Sequence, residues 1–475
     1  MKPVSIVLNI LVIVIALFLW IFTINYSEVV LQITIALALV SLLSFLIVNK
    51  NIPQFKGQCL RISYVFLAGF FIVFFQYNVD LAFHNITITN EVFASTSSIC
   101  SSALLSVMGL SSFNIGNTIG LNIGLKQKER KRENDIPVIS PEFLKIQKLL
   151  FIVFVILYLY YNTNIILSGG FVYNEETMAE LAGSLSNYSV VMVQVLVFTI
   201  LSCNAFIIKV AGMHISFWKY FKANGLFFNT MLILYLMFVF MTGDRGPILT
   251  TALAYSITYA VACERKISLV PLLAIMLGGG MVFSLIGDVR KQTNLLTVHE
   301  MISYNNSDES ESFLPATQEL AGSYNTFTYT VDRIPSTHTY FYGLMQLRNI
   351  GYSVPFLYRF IPFVYSSKEY ENSSTSYCTY LIQGLNRTYG NGASLLADIY
   401  LDFGAVGIIL IMIWLGFFVA RLDYELFYGK SLYWMVVAVI CFSYSIYLSR
   451  ATLATPLYYI VPSLIIIYSR KFFAK

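Results

Sequence analysis

The chain has 475 residues, of which 57% are hydrophobic and only 12% are charged. A soluble globular domain carries about 25% charged residues, so this composition excludes a soluble enzyme, a disordered chain and a small secreted disulfide scaffold. Since a transmembrane helix needs about 20 apolar residues, the length accommodates a dozen such helices and one sizeable loop. The formal net charge is +5, and the chain is predicted to be an all-α polytopic membrane protein.

Apolar runs separated by polar clusters predict about 12 transmembrane helices. Their approximate ranges are 5–23, 29–48, 62–79, 92–124, 149–167, 188–208, 225–241, 247–263, 267–287, 399–420, 432–448 and 452–468. The first run is too long for the apolar core of a signal peptide, so we expect it to be retained as a span.

The fourth run is rich in Ser, Gly and Asn and is long for one straight helix. Small residues let helices approach closely. Close packing, or a broken helix, is therefore favoured over a transport path at this position.

The distribution of Lys and Arg predicts the orientation. With both termini in the cytoplasm, about 21 of the 30 basic residues and 7 of the 25 acids lie inside. The segment 168–187 then lies outside, with three glutamates and no basic residue.

A long outer loop divides the chain into three predicted regions. Residues 1–287 hold transmembrane helices one to nine, residues 288–398 form the loop, and residues 399–475 hold helices ten to twelve. A loop of this length is usually functional. Its aromatic residues are numerous enough to pack on the membrane surface.

Seven arginines lie on the outer side, against the orientation rule. They are Arg245, Arg290, Arg333, Arg348, Arg359, Arg387 and Arg450. A guanidinium group is a rigid fork that matches phosphate, whereas Lys is a point charge. The cluster therefore favours binding of a phosphorylated lipid or pyrophosphate, although any single arginine could instead pair with a nearby acid.

Arg245 is the strongest individual candidate. Gly243 and Gly246 flank it and permit a tight turn, and Pro247 suits the first turn of the following helix. A phosphate bound there would also meet the positive end of that helix. Arg290 follows the predicted ninth span, and Arg450 is expected to open the last one.

A second candidate cluster runs from the end of the loop into the predicted tenth span. Asp398 and Asp402 are four residues apart, which places them on one face of a helix. A carboxylate at a membrane interface could act as general base toward a sugar hydroxyl. The alternative is a helix start with solvated acids.

Other kinds of site are not indicated. The four histidines lack metal-ligand spacing, and there is no P-loop, dinucleotide fingerprint, GxSxG or HExxH motif. We therefore predict no metal, no cofactor and no nucleic-acid partner. The basic run from Lys126 to Arg132 is interpreted as a topological anchor.

Three stretches resemble the Wzy-type O-antigen polymerases, the oligosaccharide repeat-unit polymerases of bacterial surface glycans. Residues 242–249 resemble the Gly-x-Arg turn of that family, and residues 393–407 resemble its approach to the span after the large periplasmic loop, ending in Phe-Gly-x-x-Gly. The third is Ser449-Arg450. The order of apolar segments is also similar, so the resemblance covers nearly the whole chain.

The resemblance implies a glycosyltransferase of the C type in the bacterial inner membrane. It would join undecaprenyl-pyrophosphate-linked repeat units at the periplasmic face, with no metal and with a chain-length regulator as partner. The resemblance assigns binding of the donor pyrophosphate to Arg245, Arg290 and Arg450, and more weakly to Arg348, Arg359 and Arg387. The candidate catalytic residues are Arg245 and Asp398.

Two rival functions stay open at the level of sequence. Related O-antigen ligases have a histidine before the corresponding span, where this chain reads Tyr389-Gly390-Asn391-Gly392. That difference favours a polymerase and leaves the general base unidentified. A flippase for lipid-linked oligosaccharides would need charges inside the spans, whereas the middle of nearly every predicted span is uncharged.

Overall fold

The computed structural model describes residues 2–23, 25–86, 88, 94–127, 139–167, 186–241, 244–268, 312–314, 317–387 and 390–473. Every regular element in these ranges is helical, which confirms the all-α prediction for this part of the chain. In chain order, helices α1 to α17 are Lys2–Phe22, Glu28–Lys50, Ile62–Ala82, Thr96–Gln127, Pro141–Leu167, Ser186–Val210, Phe217–Asn224, Leu226–Met241, Gly246–Ala262, Gln318–Ala321, Tyr324–Arg333, Leu344–Ser353, Leu357–Phe360, Ser374–Gln383, Leu395–Tyr428, Leu432–Leu448 and Leu457–Ser469.

Within the described residues, 7 helices are long and apolar enough to cross a membrane, or 8 if α7 and α8, bent by 89°, form one broken span. The seven are α1 to α6 and α15. Helices α9 and α16 are apolar but shorter. The total of twelve and the position of the outer loop stay predictions. Most of the predicted ninth span, 267–287, and nearly all of segment 168–187 lie outside the described residues.

Several predicted helix boundaries differ from the structure, among them both ends of the predicted span 399–420, which is Leu395–Tyr428. Helix α5 begins at Pro141, eight residues before the apolar run used to predict it. The last helix begins at Leu457 and not at residue 452. Arg450 therefore lies in a turn after α16, and the expectation that it opens the last span was wrong. Hydropathy could not detect this turn, because Ala451, Leu453 and Ala454 are themselves apolar.

The chain forms two compact units. Unit 1 contains Met1–Lys131, Asp308–Tyr424 and Ser445–Leu457; unit 2 contains Arg132–Ser307, Glu425–Tyr444 and Tyr458–Lys475. The two units are described separately below.

Helix α4 is the central helix of unit 1. It is continuous from Thr96 to Gln127, and 94% of its apolar, membrane-length stretch is buried. A Cβ atom on Gly116 would overlap the carbonyl of Ile413, and one on Gly416 would overlap that of Phe113. The backbones of α4 and α15 therefore touch at these glycines. The prediction of close packing for the fourth run is confirmed.

This contact predicts a large difference between two glycine substitutions in α4. Gly116→Ala should lower the free energy of unfolding by about 2 kcal/mol or more, because the new methyl meets backbone that cannot move aside. Gly109→Ala is the matched control, since its Cβ meets side-chain methyl groups of Leu396 and Ile408 at 3.2 and 3.3 Å. Thermal unfolding of the two purified variants in detergent measures the difference. Equal melting temperatures would contradict the packing account.

A buried polar network joins the first two helices of unit 1 to α4. Asn9 donates to Ser44 at 2.9 Å, Ser41 donates to Asn9 at 2.6 Å, and Asn114 donates to Ser41 at 2.8 Å. Side-chain hydrogen bonds of this kind hold helices together in lipid, where apolar burial gives no preference for protein over acyl chains. The four polar residues of this network are therefore occupied in helix association.

Residues 312–314 and 317–387, most of the described part of the predicted loop, are here named the loop segment. It is attached to the end of α3 through Asp80, which accepts hydrogen bonds from the Ser312 hydroxyl at 2.7 Å and the Phe313 N–H at 2.9 Å. Gln76, one turn earlier, donates to the Leu314 carbonyl at 2.8 Å. These contacts fix the point at which the loop segment enters unit 1.

The surface of α12, α13 and the turn after them is unusually apolar. Phe363 is 83% exposed and Phe360 is 78% exposed. Leu344, Leu347 and Phe356 are also exposed. A row of exposed large apolar side chains on a membrane protein indicates contact with lipid at the interface.

A cysteine-labelling experiment tests this contact with lipid. Phe363→Cys should react with a membrane-impermeant maleimide several times more slowly than Lys368→Cys in intact membranes, since lipid would cover only the former. Lys368 is the matched control because it is also exposed and lies five residues away. Both sites should react equally after denaturation in detergent. Equal rates in the intact membrane would exclude burial in the interface.

In unit 2, helix α6 supports the start of α9. Gln194 donates to the Pro247 carbonyl at 3.3 Å and to the Thr251 hydroxyl at 3.2 Å. Thr250 donates to the Gln194 side chain at 3.2 Å. The first turn of α9 is thereby held in a defined position, and Arg245 immediately precedes it.

Candidate functional site

Asp398 is the centre of a buried polar cluster in unit 1. Its side chain is fully buried near the start of α15. Oδ1 accepts hydrogen bonds from Asn349 Nδ2 at 2.8 Å and from the Ser374 hydroxyl, and Oδ2 accepts one from the Leu453 N–H at 2.9 Å. One carboxylate therefore connects α12, the first turn of α14, the start of α15 and the turn after α16.

Asp402 lies one turn further along α15 and binds the start of α12. Its Oδ1 accepts from the Gly343 N–H at 2.8 Å and the Met345 N–H at 3.1 Å, and its Oδ2 accepts from the Gln346 N–H at 2.8 Å. The carboxylate thus satisfies N–H groups that a helix leaves without intrahelical partners. Both aspartates lie on one face of α15, as their spacing predicted, and that face contacts α12; both are buried, so neither is a solvated acid at a helix start.

The stretch around residue 398 and the turn at Ser449-Arg450, singled out separately in the sequence, meet in the structure. The Leu395 N–H donates to the Ser449 carbonyl at 3.1 Å, and Leu453 reaches Asp398 as described. The hydroxyls of Ser394 and Ser449 are buried and have no hydrogen-bond partner among the described residues.

Arg348 occupies an architectural position in the loop segment. It is buried, and it donates from Nε to the Val364 carbonyl at 2.7 Å and from Nη1 to the Glu371 carbonyl at 2.7 Å. Its neighbour in the chain, Asn349, binds Asp398. These contacts hold the part of the loop segment that lies next to Asp398 in a defined position.

The other candidate arginines of unit 1 are more accessible than Arg348. Arg359 and Arg387 are exposed, and Arg450 is partly exposed. The Arg359 guanidinium lies 5.6 Å from the centre of the Phe356 ring and donates to the Tyr358 hydroxyl at 3.1 Å. It therefore sits among the exposed aromatic residues of α13.

Arg245 immediately precedes α9 in unit 2. Its backbone lies at the N-cap position, and Pro247 falls in the first turn of the helix, as predicted. Gly243, the other glycine of the predicted tight turn, lies outside the described residues. The side chain of Asp244 accepts a hydrogen bond from the Gly246 N–H at 3.0 Å. A guanidinium group at the positive end of a helix favours an anion there. Arg290 lies outside the described residues.

Titratable groups of the loop segment have shifted pKa values. Burial and the nearby Arg333 lower the pKa of His338 from 6.5, so its imidazole is neutral at pH 7. Burial opposes ionisation of Glu371, but hydrogen bonds from Ser366 and Lys368 outweigh it and lower the pKa of Glu371. The loop segment therefore carries an ionised acid next to the carbonyl that Arg348 binds.

An apolar groove opens beside Asp402. Its volume is about 410 Å³. Its lining residues are Tyr340, Tyr342, Asp402, Phe403, Val406, Gly407, Leu410 and Ile411. Neither the groove nor the partners of Asp398 were predicted from the sequence, and the nearest signal was the Phe-Gly-x-x-Gly pattern at residues 403–407.

No group of three or more His, Cys, Asp or Glu residues that could hold a metal ion occurs in the described ranges. Hydrogen bonds to protein groups occupy the neighbouring carboxylates of Asp398 and Asp402.

Comparison with known proteins gives one match. The family described as O-antigen polysaccharide polymerase Wzy matches residues 5–475 of the chain. No curated protein and no solved structure is significantly similar. The family match covers both units and all the residues discussed above.

Proposed function

Because the chain belongs to the O-antigen polysaccharide polymerase Wzy family, we propose that it joins undecaprenyl-pyrophosphate-linked repeat units at the periplasmic face of the bacterial inner membrane. Membership of the family supports a polysaccharide polymerase that acts on lipid-linked oligosaccharide repeat units in the membrane. The membrane face, the polyprenyl carrier and the C-type mechanism belong to the proposal. So do cytoplasmic termini and association with a chain-length regulator.

In this proposal, Arg245 binds the donor pyrophosphate and neutralises the leaving group as the glycosidic bond forms. Its place at the start of α9 supports this role, because a fixed cation at a helix N-terminus stabilises developing negative charge without reorganisation. The anomeric carbon of the donor is attacked by a hydroxyl of the acceptor sugar, and the lipid pyrophosphate departs. Arg290 and Arg450 are proposed for the same type of contact, and Arg359 and Arg387 are weaker candidates.

Asp398 is proposed to be the carboxylate that acts where the acceptor sugar binds. The three hydrogen bonds that it accepts support a positioning role, in which it holds α12 and the turn after α16 against the start of α15. Action as general base would require a donor such as Ser374 to release it when the acceptor binds. Arg348 contributes to the same arrangement through the two carbonyls that it binds.

The observation that carries the proposal is the match of the family over residues 5–475. The meeting of the Asp398 helix start with the Ser449-Arg450 turn supports it independently. Two of the three stretches that resemble the family thus lie in contact in unit 1.

Reconstitution tests the proposed function. The full chain is purified and placed in proteoliposomes with lipid-linked repeat units extracted from a strain that lacks the gene. A polymerase should convert them into a ladder of lipid-linked products with two or more repeats. A ligase would leave their length unchanged without a core acceptor, and a flippase would move them across the bilayer without lengthening. Either of those outcomes would replace the proposal.

A further inference from the structure

The groove beside Asp402 has the dimensions of a ligand site. Its volume of about 410 Å³ falls within the range of about 300–1,000 Å³ that is usual for small-molecule pockets. Its apolar floor follows α15 from Phe403 to Ile411, a length of roughly 12 Å at the helical rise. Tyr340 and Tyr342, which belong to the loop segment, form one end of the groove.

Two glycines leave the space for this groove. Gly404 has φ +60° and ψ −151°, which interrupts α15, and a Cβ there would lie 2.9 Å from the Tyr340 hydroxyl oxygen. Gly407 lies against the Phe403 side chain, where an added Cβ would overlap it. Side chains at either position would fill the groove or displace its walls. The two glycines of the Phe-Gly-x-x-Gly pattern therefore leave the space in which the groove forms.

The groove runs along an exposed side of α15. Val406 is 66% exposed, and Leu410 is also exposed, although both belong to a helix long and apolar enough to span a membrane. This side of α15 thus faces lipid, and a chain in the bilayer can enter the groove sideways. At its loop end the groove reaches Asp402, one helical turn from Asp398.

We propose that this groove binds the segment of the lipid carrier closest to the pyrophosphate, while the sugar half of the substrate lies against the loop segment. The proposal rests on the proposed function and adds a place for the lipid half of the substrate. The occupant must be apolar along α15 and polar at the tyrosine end. A lipid-linked oligosaccharide has this polarity, with its apolar part in the membrane and its sugars outside.

The continuity of the groove with the Asp398 cluster argues for the carrier over an ordinary phospholipid. A phospholipid can cover any exposed side of a span, such as that around Leu43 of α2, which is 56% exposed. The groove along α15 instead ends at Asp402, which binds the start of α12 one helical turn from Asp398. A carrier bound there would deliver its sugars to that arrangement.

Photo-crosslinking tests the site directly. The full chain, with p-benzoyl-phenylalanine at Val406, is placed in nanodiscs that contain phospholipid and tritium-labelled undecaprenyl pyrophosphate as the probe. Val406 should incorporate several times more tritium than the matched control, Leu43, which is a similarly exposed lipid-facing residue of the same unit. Unlabelled undecaprenyl pyrophosphate should compete at Val406. Equal incorporation at the two positions would show that phospholipid alone fills the groove and would overturn the proposal.

A groove-filling variant gives the second measurement. Leu410→Trp should raise the KM for lipid-linked repeat units about tenfold with little change in kcat, since it displaces apolar contacts made equally in the ground state and the transition state. Leu43→Trp should leave both constants unchanged. If Leu410→Trp has no effect while Arg245→Ala abolishes polymerisation, the groove proposal fails and the polymerase proposal stands. If the intact chain forms no ladder in the reconstitution, the polymerase proposal itself fails.

Discussion

Replacement of Arg245 by Ala should abolish long glycan chains while the protein still inserts in the membrane. The expected loss of rate is about 100-fold or more, the usual cost of removing one fixed donor that stabilises transition-state charge. Arg245→Lys should restore only part of the activity, because a point charge replaces a fork that matches phosphate. The ladder of chain lengths, separated by electrophoresis, measures the effect in cells.

Arg265 provides the matched control for this variant. It follows the other end of α9, which ends at Ala262, and it is exposed. Arg265→Ala should leave the ladder unchanged at equal protein level. If Arg245→Ala also leaves the ladder unchanged, the pyrophosphate role of Arg245 is wrong.

Replacement of Asp398 by Ala should both abolish polymerisation and lower the free energy of unfolding by about 3 kcal/mol, because buried donors lose their acceptor. Those donors are on Asn349, Ser374 and Leu453. Thermal unfolding and chain length per folded molecule should therefore change together.

Asp423 is the matched control for this effect on activity. It is also fully buried in α15, and it accepts from the Ile62 N–H at 2.8 Å and from the Ser63 hydroxyl at 2.6 Å. Asp423→Ala should lower stability to a similar extent but leave the chain length per folded molecule intact. If both variants shorten the chains equally, Asp398 has no special role in the reaction.

A double-mutant comparison separates positioning from proton transfer by Asp398. In a positioning role, Asn349→Ala should shorten the chains and should add little to the effect of Asp398→Ala, since both remove the same contact. A general base would instead show in the pH profile of kcat, which should keep its shape in Asn349→Ala and change in Asp398→Asn. An unchanged rate in Asn349→Ala would exclude the positioning role.

The elements predicted well from sequence are those bounded by strong local signals. Helix α16 was predicted at 432–448 and is Leu432–Leu448, because Lys430 and Ser431 precede its apolar run and Ser449-Arg450 follow it. The start of α9 was predicted from Gly246 and Pro247, whose backbone preferences are local. Likewise, the glycines and serines of α4 indicated close packing, although not that α15 is the partner.

The candidate site was less predictable because its contacts join distant parts of the chain. Asp398 was recognised as a carboxylate near a helix start, but its partners Asn349, Ser374 and Leu453 are 49, 24 and 55 residues away. No local pattern identifies such partners. For the same reason, the spacing of Asp402 indicated its face on the helix but not its role in binding the start of α12.

The glycan profile of a strain lacking the gene tests the central claim most directly. If the chain is the polymerase, deletion should leave lipid A core that carries single repeat units, and expression of the intact gene should restore the ladder. Unextended core, together with polymer that accumulates on the lipid carrier, would contradict the account and assign the chain to ligation.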